Sequence, residues 1–235
     1  MRIKLQPAFI LHSRPYRDSS QILEVLTAQY GRLSLVAKGA RRKQRGGSGA
    51  ALLQPFIPLL LSFSGRAEMK TMTAVEMAGE PRTLSGARLF SGLYLNELLV
   101  RLLHRHDPHP ALFLAYDTAL GSLKGGGKID ELLRCFEFTL LQELGFGFEL
   151  AIDGATGEAV SADSWYRFDE EYGLVREENG AAIQRPLFPG EELLIMAGGE
   201  FGESVKGTAK RLLRQALAGH LGDKPLKSRD LFRRS

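Results

Sequence analysis

The sequence has few or none of the features that define several large protein classes. Among its 235 residues there is a single cysteine, Cys135. One thiol excludes an internal disulfide, a cysteine-based zinc site and a CxxC redox pair. No apolar run approaches the roughly 20 residues that cross a bilayer, so no membrane association is expected. The first residues lack the apolar core and cleavage site of a secretory signal, and we expect a cytoplasmic location.

Motifs of catalysis are missing as well. The glycine run at 125–127 precedes Lys128, but Ile129 stands where a phosphate-binding loop needs Ser or Thr. The acidic runs at 169–171 and 177–178 have no positioned His or Lys beside them. We interpret these runs as a solvated acidic surface rather than a two-metal site. The sequence therefore predicts no enzyme activity, no cofactor and no bound metal.

The charge that is present is unevenly distributed. The formal net charge is +4, yet residues 1–80 carry a net +7 and residues 205–235 another +7. Residues 81–145 are neutral, whereas residues 146–204 carry a net −10. Two basic ends around an acidic stretch indicate a surface that binds a polyanion, with the acidic part facing elsewhere.

The densest basic cluster lies between residues 38 and 45 and is followed by a run of glycine and serine. We predict that its cations contact phosphates; the alternative is a solvated loop. These cations are Lys38, Arg41, Arg42, Lys43 and Arg45. Arg14 and Arg17, expected on the turn after the first strand, extend this DNA-binding path. Tyr16 and Tyr30 are candidates for base stacking or for the core of the domain.

Residues 1–80 are expected to form a β-domain. Five short apolar runs are separated by turn residues, and the first is expected over 8–12, ending at 13–15. In the third run Leu33, Leu35 and Ala37 alternate with more polar neighbours, the period of a half-buried strand. Five strands with an exposed basic loop fit a closed barrel of the OB type, and a small sandwich would give a similar pattern.

From about residue 84 the apolar period becomes helical, so the fold class is α+β with a helical domain over 81–235. A second helix is expected from 108–110 with Asp107 as its cap, and a third from Ile129, closed by Gly145. Residues 146–185 are predicted to form a small irregular or β-hairpin acidic insert. Further helices are expected at 189–197 and 205–219.

Six blocks in unbroken order resemble the RecO family of bacterial recombination-mediator and DNA-repair proteins. They are AFILHSRPY (8–16), GRLSLVAKGAR (31–41), LQPF (53–56), SGLYLNELL (91–99), RCFE with LGFG (134–137 and 144–147), and KPLKSR (224–229). Together they cover nearly the whole chain, which makes the resemblance specific.

This resemblance implies an N-terminal OB-fold, a C-terminal helical domain and no catalytic centre. Proteins of the family bind single- and double-stranded DNA and anneal complementary strands. With RecR, and with RecF in the same pathway, they help load RecA on strands coated by single-stranded-DNA-binding protein (SSB), so a nucleoid-associated location is implied. Many members hold a four-cysteine zinc module after the third helix, whereas residues 150–158 contain no cysteine here. We therefore expect a metal-free member.

The resemblance also places Arg134 where the family meets the acidic C-terminal tail of SSB. A guanidinium can pair with a carboxylate at two points, and the apolar tip of the tail needs a hydrophobic depression beside that cation. Leu132, Leu133 and Phe136 are the candidates for this depression. The alternative is an ordinary surface arginine paired with Glu131 or Glu137.

A second basic surface near the C-terminus is expected either to guide DNA or to be a solvated helix face. Its residues are Lys206, Lys210, Arg211, Arg214, Lys227 and Arg229, with Lys224 nearby. Two other functions remain open at this point: an OB-fold RNA-binding protein and a metal-dependent nuclease.

Overall fold

The computed structural model describes residues 2–40, 49–177 and 186–233. Arg41, Arg42, Lys43 and Arg45 of the predicted DNA-binding cluster lie outside the described residues. The chain divides into two compact units: Met1–Gly126 together with Leu226–Ser235, and Gly127–Pro225. The domain boundary predicted near residue 80 stays a prediction.

The first unit contains a closed five-stranded barrel. Its strands are β1 (Arg2–Tyr16), β2 (Ser20–Thr27), β3 (Gly31–Ala37), β4 (Leu59–Ser64) and β5 (Lys70–Met77). The strand order is β1-β2-β3-β5-β4, and β4 pairs with β1 to close the barrel. β3 and β5 are parallel, whereas the other neighbours are antiparallel. This OB-like barrel confirms the predicted fold class and excludes the sandwich.

Alternating side chains fill the barrel interior. Leu33, Leu35 and Ala37 of β3 are fully buried, as the alternation in the sequence predicts. They pack in one core cluster with residues of the other strands, which include Leu23 and Phe63. Burying side chains of this size contributes about 1.5–3 kcal/mol each, so this cluster stabilises the barrel that positions the surface residues.

β1 is longer than the predicted 8–12. Its first half pairs with β4 from Arg2 to Ala8, and its second half pairs with β2 from Ala8 to Tyr16. Pro15, expected to end the strand, lies opposite Gln21 inside it. Within the described residues β4 pairs with β1 only as far as Ala8, so this half of β1 has one edge that no strand covers, and prolines are tolerated in such edge segments.

Two helices cover one outer face of the barrel. They are α1 (Gly86–Leu102) and α2 (Pro110–Lys124). The ring of Phe9 on β1 lies 5.5 Å from that of Phe113 and 5.2 Å from that of Tyr116, measured between centroids. Asn96 Nδ2 donates a hydrogen bond to the Leu11 carbonyl oxygen at 2.9 Å. These contacts hold both helices against β1.

α2 begins at Pro110, within the predicted 108–110, but its capping residue differs from the prediction. His109, not Asp107, precedes the first helical residue, and it makes no side-chain capping bond. The reason is Pro110, because a residue before proline is disfavoured in the helical region, and His109 has φ −125° and ψ 80°.

Gly31 fixes how the segment between the helices approaches the barrel. Its φ is +65°, and a Cβ there would lie 2.0 Å from the Asp107 carbonyl oxygen. A glycine is therefore required both for the left-handed conformation and for the close backbone approach.

The second unit is built on α3 (Ile129–Glu143). Gly145 follows it with φ +77°, and its N–H donates to the Gln142 carbonyl at 3.0 Å, which is the glycine-terminated helix end that was predicted. The acidic insert contains the hairpin β6 (Trp165–Asp169) and β7 (Gly173–Arg176). A third strand, β8 (Leu187–Pro189), pairs with β6, where the sequence predicted the start of a helix. α4 (Gly190–Ala197) and α5 (Lys206–Leu221) complete the unit.

A last helix, α6 (Ser228–Arg233), returns to the first unit and was not predicted. The Glu97 carboxylate on α1 accepts hydrogen bonds from the backbone N–H groups of Lys227 and Ser228 and from the Ser228 hydroxyl, at 2.9, 2.8 and 2.6 Å. A helix this short has little intrinsic stability and depends on these long-range hydrogen bonds. For that reason it could not be predicted from the local sequence pattern.

Candidate functional site

One end of the barrel gathers three of the predicted DNA-binding cations. Arg14 lies inside β1, opposite Ile22, rather than on the turn as predicted, and Arg17 lies on the turn itself. Gln21 lies at the start of β2, next to this turn, and it pairs with Ala37 at the end of β3. Lys38, the residue after β3, therefore lies at the same end of the barrel. A groove at this end, which we call the barrel-end groove, is lined by Tyr16, Arg17, Ser19, Ser20, Val36, Lys38 and Gly39.

The cations at this end keep their charges available. Arg14, Arg17 and Lys38 are exposed, and none forms an ion pair with any residue that the structure describes. By contrast, Arg32 Nη1 lies 2.8 Å and Arg105 Nη2 lies 3.2 Å from carboxylate oxygens of Glu24. A phosphate can therefore approach the first three cations without displacing a carboxylate.

The two candidate stacking tyrosines have different surroundings. Tyr30 packs edge-on against Phe63 at 5.9 Å between centroids and joins the barrel core. Tyr16 is half-buried at the barrel-end groove, and the guanidinium carbon of Arg17 lies 5.2 Å from its ring centroid. Tyr30 therefore belongs to the barrel core, whereas Tyr16 stays a candidate for base stacking at the groove.

Arg134 on α3 is buried, with a relative exposure of 7%. Its Nη1 lies 2.6 Å from Oε2 of Glu137, which is itself fully buried. Its Nε has no hydrogen-bond partner among the described residues. Leu133 and Phe136 are buried and Leu132 is half-buried, so apolar neighbours are present as expected. The pair with Glu137 has the i,i+3 spacing that was considered from the sequence, but the burial of the pair could not be predicted from the local sequence.

The second basic surface is divided between the two units. Lys206 Nζ on α5 lies 3.0 Å from Asp130 and 3.7 Å from Glu203, so its charge is paired. Arg211 lies over the Phe188 ring at 5.6 Å. Lys210 and Arg214 are exposed, with no ion pair to a residue within the described ranges. Lys227 and Arg229 belong to the first unit and therefore do not share one compact unit with α5.

The stretch that replaces the zinc module is organised by a carboxylate. Asp153 accepts hydrogen bonds from the backbone N–H groups of Ala155, Thr156 and Arg176 at 2.9, 3.2 and 2.8 Å. Burial alone would raise the pKa of Asp153, but these bonds outweigh it and lower that pKa. With no cysteine or histidine over 150–158 and the carboxylate already engaged, these residues do not fit a zinc ion.

Two further properties concern the described residues. They contain no cluster of three or more His, Cys, Asp or Glu side chains that could hold a metal ion. None of their helices is long and apolar enough to span a membrane.

The structure combines a closed OB-type barrel with a helical region and a small sheet. Exposed cations lie at one end of the barrel, so the chain is a barrel protein with a surface suited to a polyanion. Residues 1–80 match the family model for the N terminal of recombination protein O, and residues 84–230 match the model for its C terminal. The chain belongs to the RecO family of DNA repair proteins.

Similar proteins match over almost their full length. The chain is 46% identical to the DNA repair protein RecO of Nitrosococcus oceani, over 99% of this chain and 94% of that protein. It is 46% identical to that of Pseudomonas paraeruginosa, over 97% and 94%. It is 42% identical to that of Methylococcus capsulatus, over 100% and 95%.

Proposed function

We propose that this protein is a recombination mediator that binds single- and double-stranded DNA through the barrel end and anneals complementary strands. The observation that carries the proposal is the set of exposed cations Arg14, Arg17 and Lys38 at one end of the barrel, none of which forms an ion pair with a described residue. Arg17 and Lys38 line the barrel-end groove. The sequence continues from Lys38 into Arg41, Arg42, Lys43 and Arg45, which we propose as further phosphate contacts.

The proposed mechanism is electrostatic and needs no ATP. Each cation that neutralises a phosphate releases condensed counterions, which favours binding at low salt with little sequence preference. Screening of phosphate repulsion lets two complementary strands approach, and base pairing then proceeds downhill. Catalytic side chains have no part in this mechanism.

The test compares two variants that each lose three positive charges. One is Arg14→Ala/Arg17→Ala/Lys38→Ala, and its matched control, Arg66→Ala/Lys128→Ala/Arg176→Ala, removes exposed cations elsewhere. For single-stranded DNA the negative slope of log affinity against log salt becomes shallower by about 0.7 for each lost phosphate contact; a lower or lost slope means a smaller magnitude. We expect the first variant to lose affinity, slope and annealing rate, and the control to keep all three. Equal behaviour of the two variants would refute the assignment of the barrel end.

The four cations at residues 41–45, which lie outside the described residues, need a separate variant to test their contact with DNA. Replacing Arg41, Arg42, Lys43 and Arg45 with Ala is expected to lower the salt slope further in the background of the first variant. An unchanged slope would remove those four residues from the proposed interface.

We further propose that α3 binds the SSB tail. Arg134 supplies the cation, and a tail carboxylate would compete with Glu137 for its guanidinium while the apolar tip of the tail contacts the Leu132 side of the helix. The support is a buried guanidinium with an unused Nε beside apolar side chains.

A simple Arg134→Ala test would confuse loss of binding with loss of folding, because the fully buried Glu137 would lose its ion pair with Arg134. The double variant Arg134→Met/Glu137→Leu removes both charges at similar volume, so we expect a folded protein that has lost affinity for an SSB-tail peptide. Arg176→Ala serves as the control for removal of one arginine. Peptide binding by the double variant at the level of the unaltered protein would contradict the proposal.

Family membership supports a proposal about the wider role. We propose that the protein works with RecR to load RecA on SSB-coated strands in DNA repair. Annealing of SSB-coated oligonucleotides without ATP or metal tests the mediator function directly. A stronger affinity for RNA than for DNA of the same sequence would favour an RNA-binding role instead, and DNA cleavage with magnesium would favour a nuclease.

A further inference from the structure

We infer that the barrel-end groove is a subsite for one unpaired nucleobase, stacked on Tyr16, with the adjoining phosphates at Arg17 and Lys38. The inference rests on the proposed DNA binding and deepens it, because it assigns this groove to single-stranded rather than duplex DNA.

The backbone holds Tyr16 at the groove. Tyr16 is the last residue of β1 and pairs with Ser20 across the turn, so its position is fixed by the β1–β2 ladder. Its side chain is half-buried, which leaves part of the ring accessible. An aromatic ring fixed by a strand loses little conformational entropy when a base stacks on it, and such stacking is tolerant of base identity.

The other residues that line the groove are compatible with a flat ligand. Leu35 and Ala37 of β3 point into the barrel, so Val36 between them faces outward and lines the groove. Ser19 and Ser20 add hydroxyl groups that can bond to the sugar–phosphate backbone or to a base edge. The groove therefore combines an aromatic surface, an aliphatic surface and polar atoms.

Two positive charges lie at the groove that contains Tyr16. Arg17 has φ +52°, a left-handed conformation that is uncommon for arginine, and its guanidinium carbon lies 5.2 Å from the Tyr16 ring centroid. A base that stacks on this face of the ring takes the place of the guanidinium, which then turns to a phosphate. Lys38 lines the same groove from the end of β3. Because neither forms an ion pair with a described residue, both charges can bind phosphates next to the base.

This arrangement discriminates between single strands and duplexes. In a duplex each base is covered on both faces by its neighbours, and extracting one base costs a few kcal/mol. An unpaired base pays little of that cost. Stacking uses the face of the base and leaves its Watson–Crick edge open, so a strand held in this way stays able to pair with its complement.

The experiment compares Tyr16→Leu with Tyr16→Phe and with Tyr172→Leu, which removes an exposed tyrosine from the second unit. Affinity is measured for an oligonucleotide as a single strand and as a duplex. Loss of one base–aromatic contact of about 1–3 kcal/mol corresponds to a roughly 5- to 150-fold weaker single-strand affinity for Tyr16→Leu. We expect duplex affinity to stay within about twofold for all three variants, and Tyr16→Phe and Tyr172→Leu to bind single strands normally.

A second measurement needs no variant. In the unaltered protein, photo-cross-linking of single-stranded DNA that contains 5-bromouracil is expected to label the peptide that holds Tyr16, and the duplex is expected not to. Equal loss of single-strand and duplex affinity in Tyr16→Leu, or cross-links only elsewhere, would overturn the inference. Failure of the proposed DNA binding is distinguishable, since it would appear in the Arg14, Arg17 and Lys38 variant as an unchanged salt slope.

Discussion

The cations of the barrel end differ in their partners from Arg134 on α3 and Lys206 on α5, whereas Lys210 and Arg214 of α5 resemble the barrel-end cations. At the barrel end Arg14, Arg17 and Lys38 are exposed and form no ion pair with described residues. On α3 and α5, Arg134 is paired with Glu137 and Lys206 with Asp130. Residues 1–80, which contain the barrel-end cations, and residues 205–235, which contain Lys206, have the same net charge of +7. Availability to a polyanion is therefore decided by the acidic partners of each cation and not by the count.

The physical reason is competition. A paired cation must give up a carboxylate before it neutralises a phosphate, so its net gain on DNA binding is smaller. Charges that are engaged internally contribute instead to the stability of the folded state. The comparison therefore predicts opposite consequences of removing a cation. Loss of the paired Arg134 lowers the stability of the folded state, and loss of an exposed barrel-end cation lowers the affinity for DNA.

The largest expected effect is on the stability of α3. Arg134→Ala removes the ion pair between Arg134 and the fully buried carboxylate of Glu137, and breaking a buried pair costs roughly 3–5 kcal/mol of unfolding free energy. Arg14→Ala at the exposed barrel end is expected to change that free energy by less than about 0.5 kcal/mol. Chemical denaturation of both variants measures the difference. Addition of Glu137→Leu to the first variant should restore most of the loss; no recovery would show that the pair is not what stabilises this part of α3.

An intermediate effect is expected at Asp153, whose charge is also engaged internally. Asp153→Asn replaces one acceptor oxygen with an NH₂ group and leaves at least one backbone N–H unsatisfied, at a cost of about 1–3 kcal/mol. Because its pKa is lowered in the folded state, the stabilisation is present above the unfolded pKa of about 3.9 and is lost as pH falls through the folded value.

Thermal unfolding across this acidic range measures the contribution of Asp153. The unaltered protein should lose stability more steeply than Asp153→Asn as pH falls below the unfolded pKa. Asp163→Asn, at an exposed acid of the same insert, provides the matched control and is expected to follow the unaltered protein. Identical acid dependence in all three proteins would mean that the Asp153 carboxylate does not organise this loop.

Local pattern predicted the parts of the fold that depend on local pattern. Leu33, Leu35 and Ala37 revealed a barrel strand because alternation directly reports a half-buried sheet, and Gly145 marked the end of α3. The length of β1 was wrong because pairing with β4 extends it, and α6 was missed because Glu97 holds it from far along the chain.

The same distinction applies to the candidate site. The residue types of the barrel-end cations were evident from the sequence, but their freedom from carboxylates was not. Lys206 was predicted as part of a basic stripe, yet Asp130, which lies on α3 and far away in sequence, neutralises it. The barrel-end cations and Lys206 differ in the residues that lie near them in the folded protein, and these contacts cannot be predicted from composition.

The smallest expected effect distinguishes two lysines of equal charge. Lys38→Ala should lower the single-strand salt slope by about 0.7, whereas Lys206→Ala should leave it nearly unchanged because its charge is already paired. The variant Asp130→Asn/Glu203→Gln removes both acidic partners of Lys206. If pairing is what makes Lys206 silent, a further Lys206→Ala change should lower the slope more in that background than in the unaltered protein. A slope change for Lys206→Ala in the unaltered protein as large as that for Lys38→Ala would show that carboxylate pairing does not control which cations meet DNA.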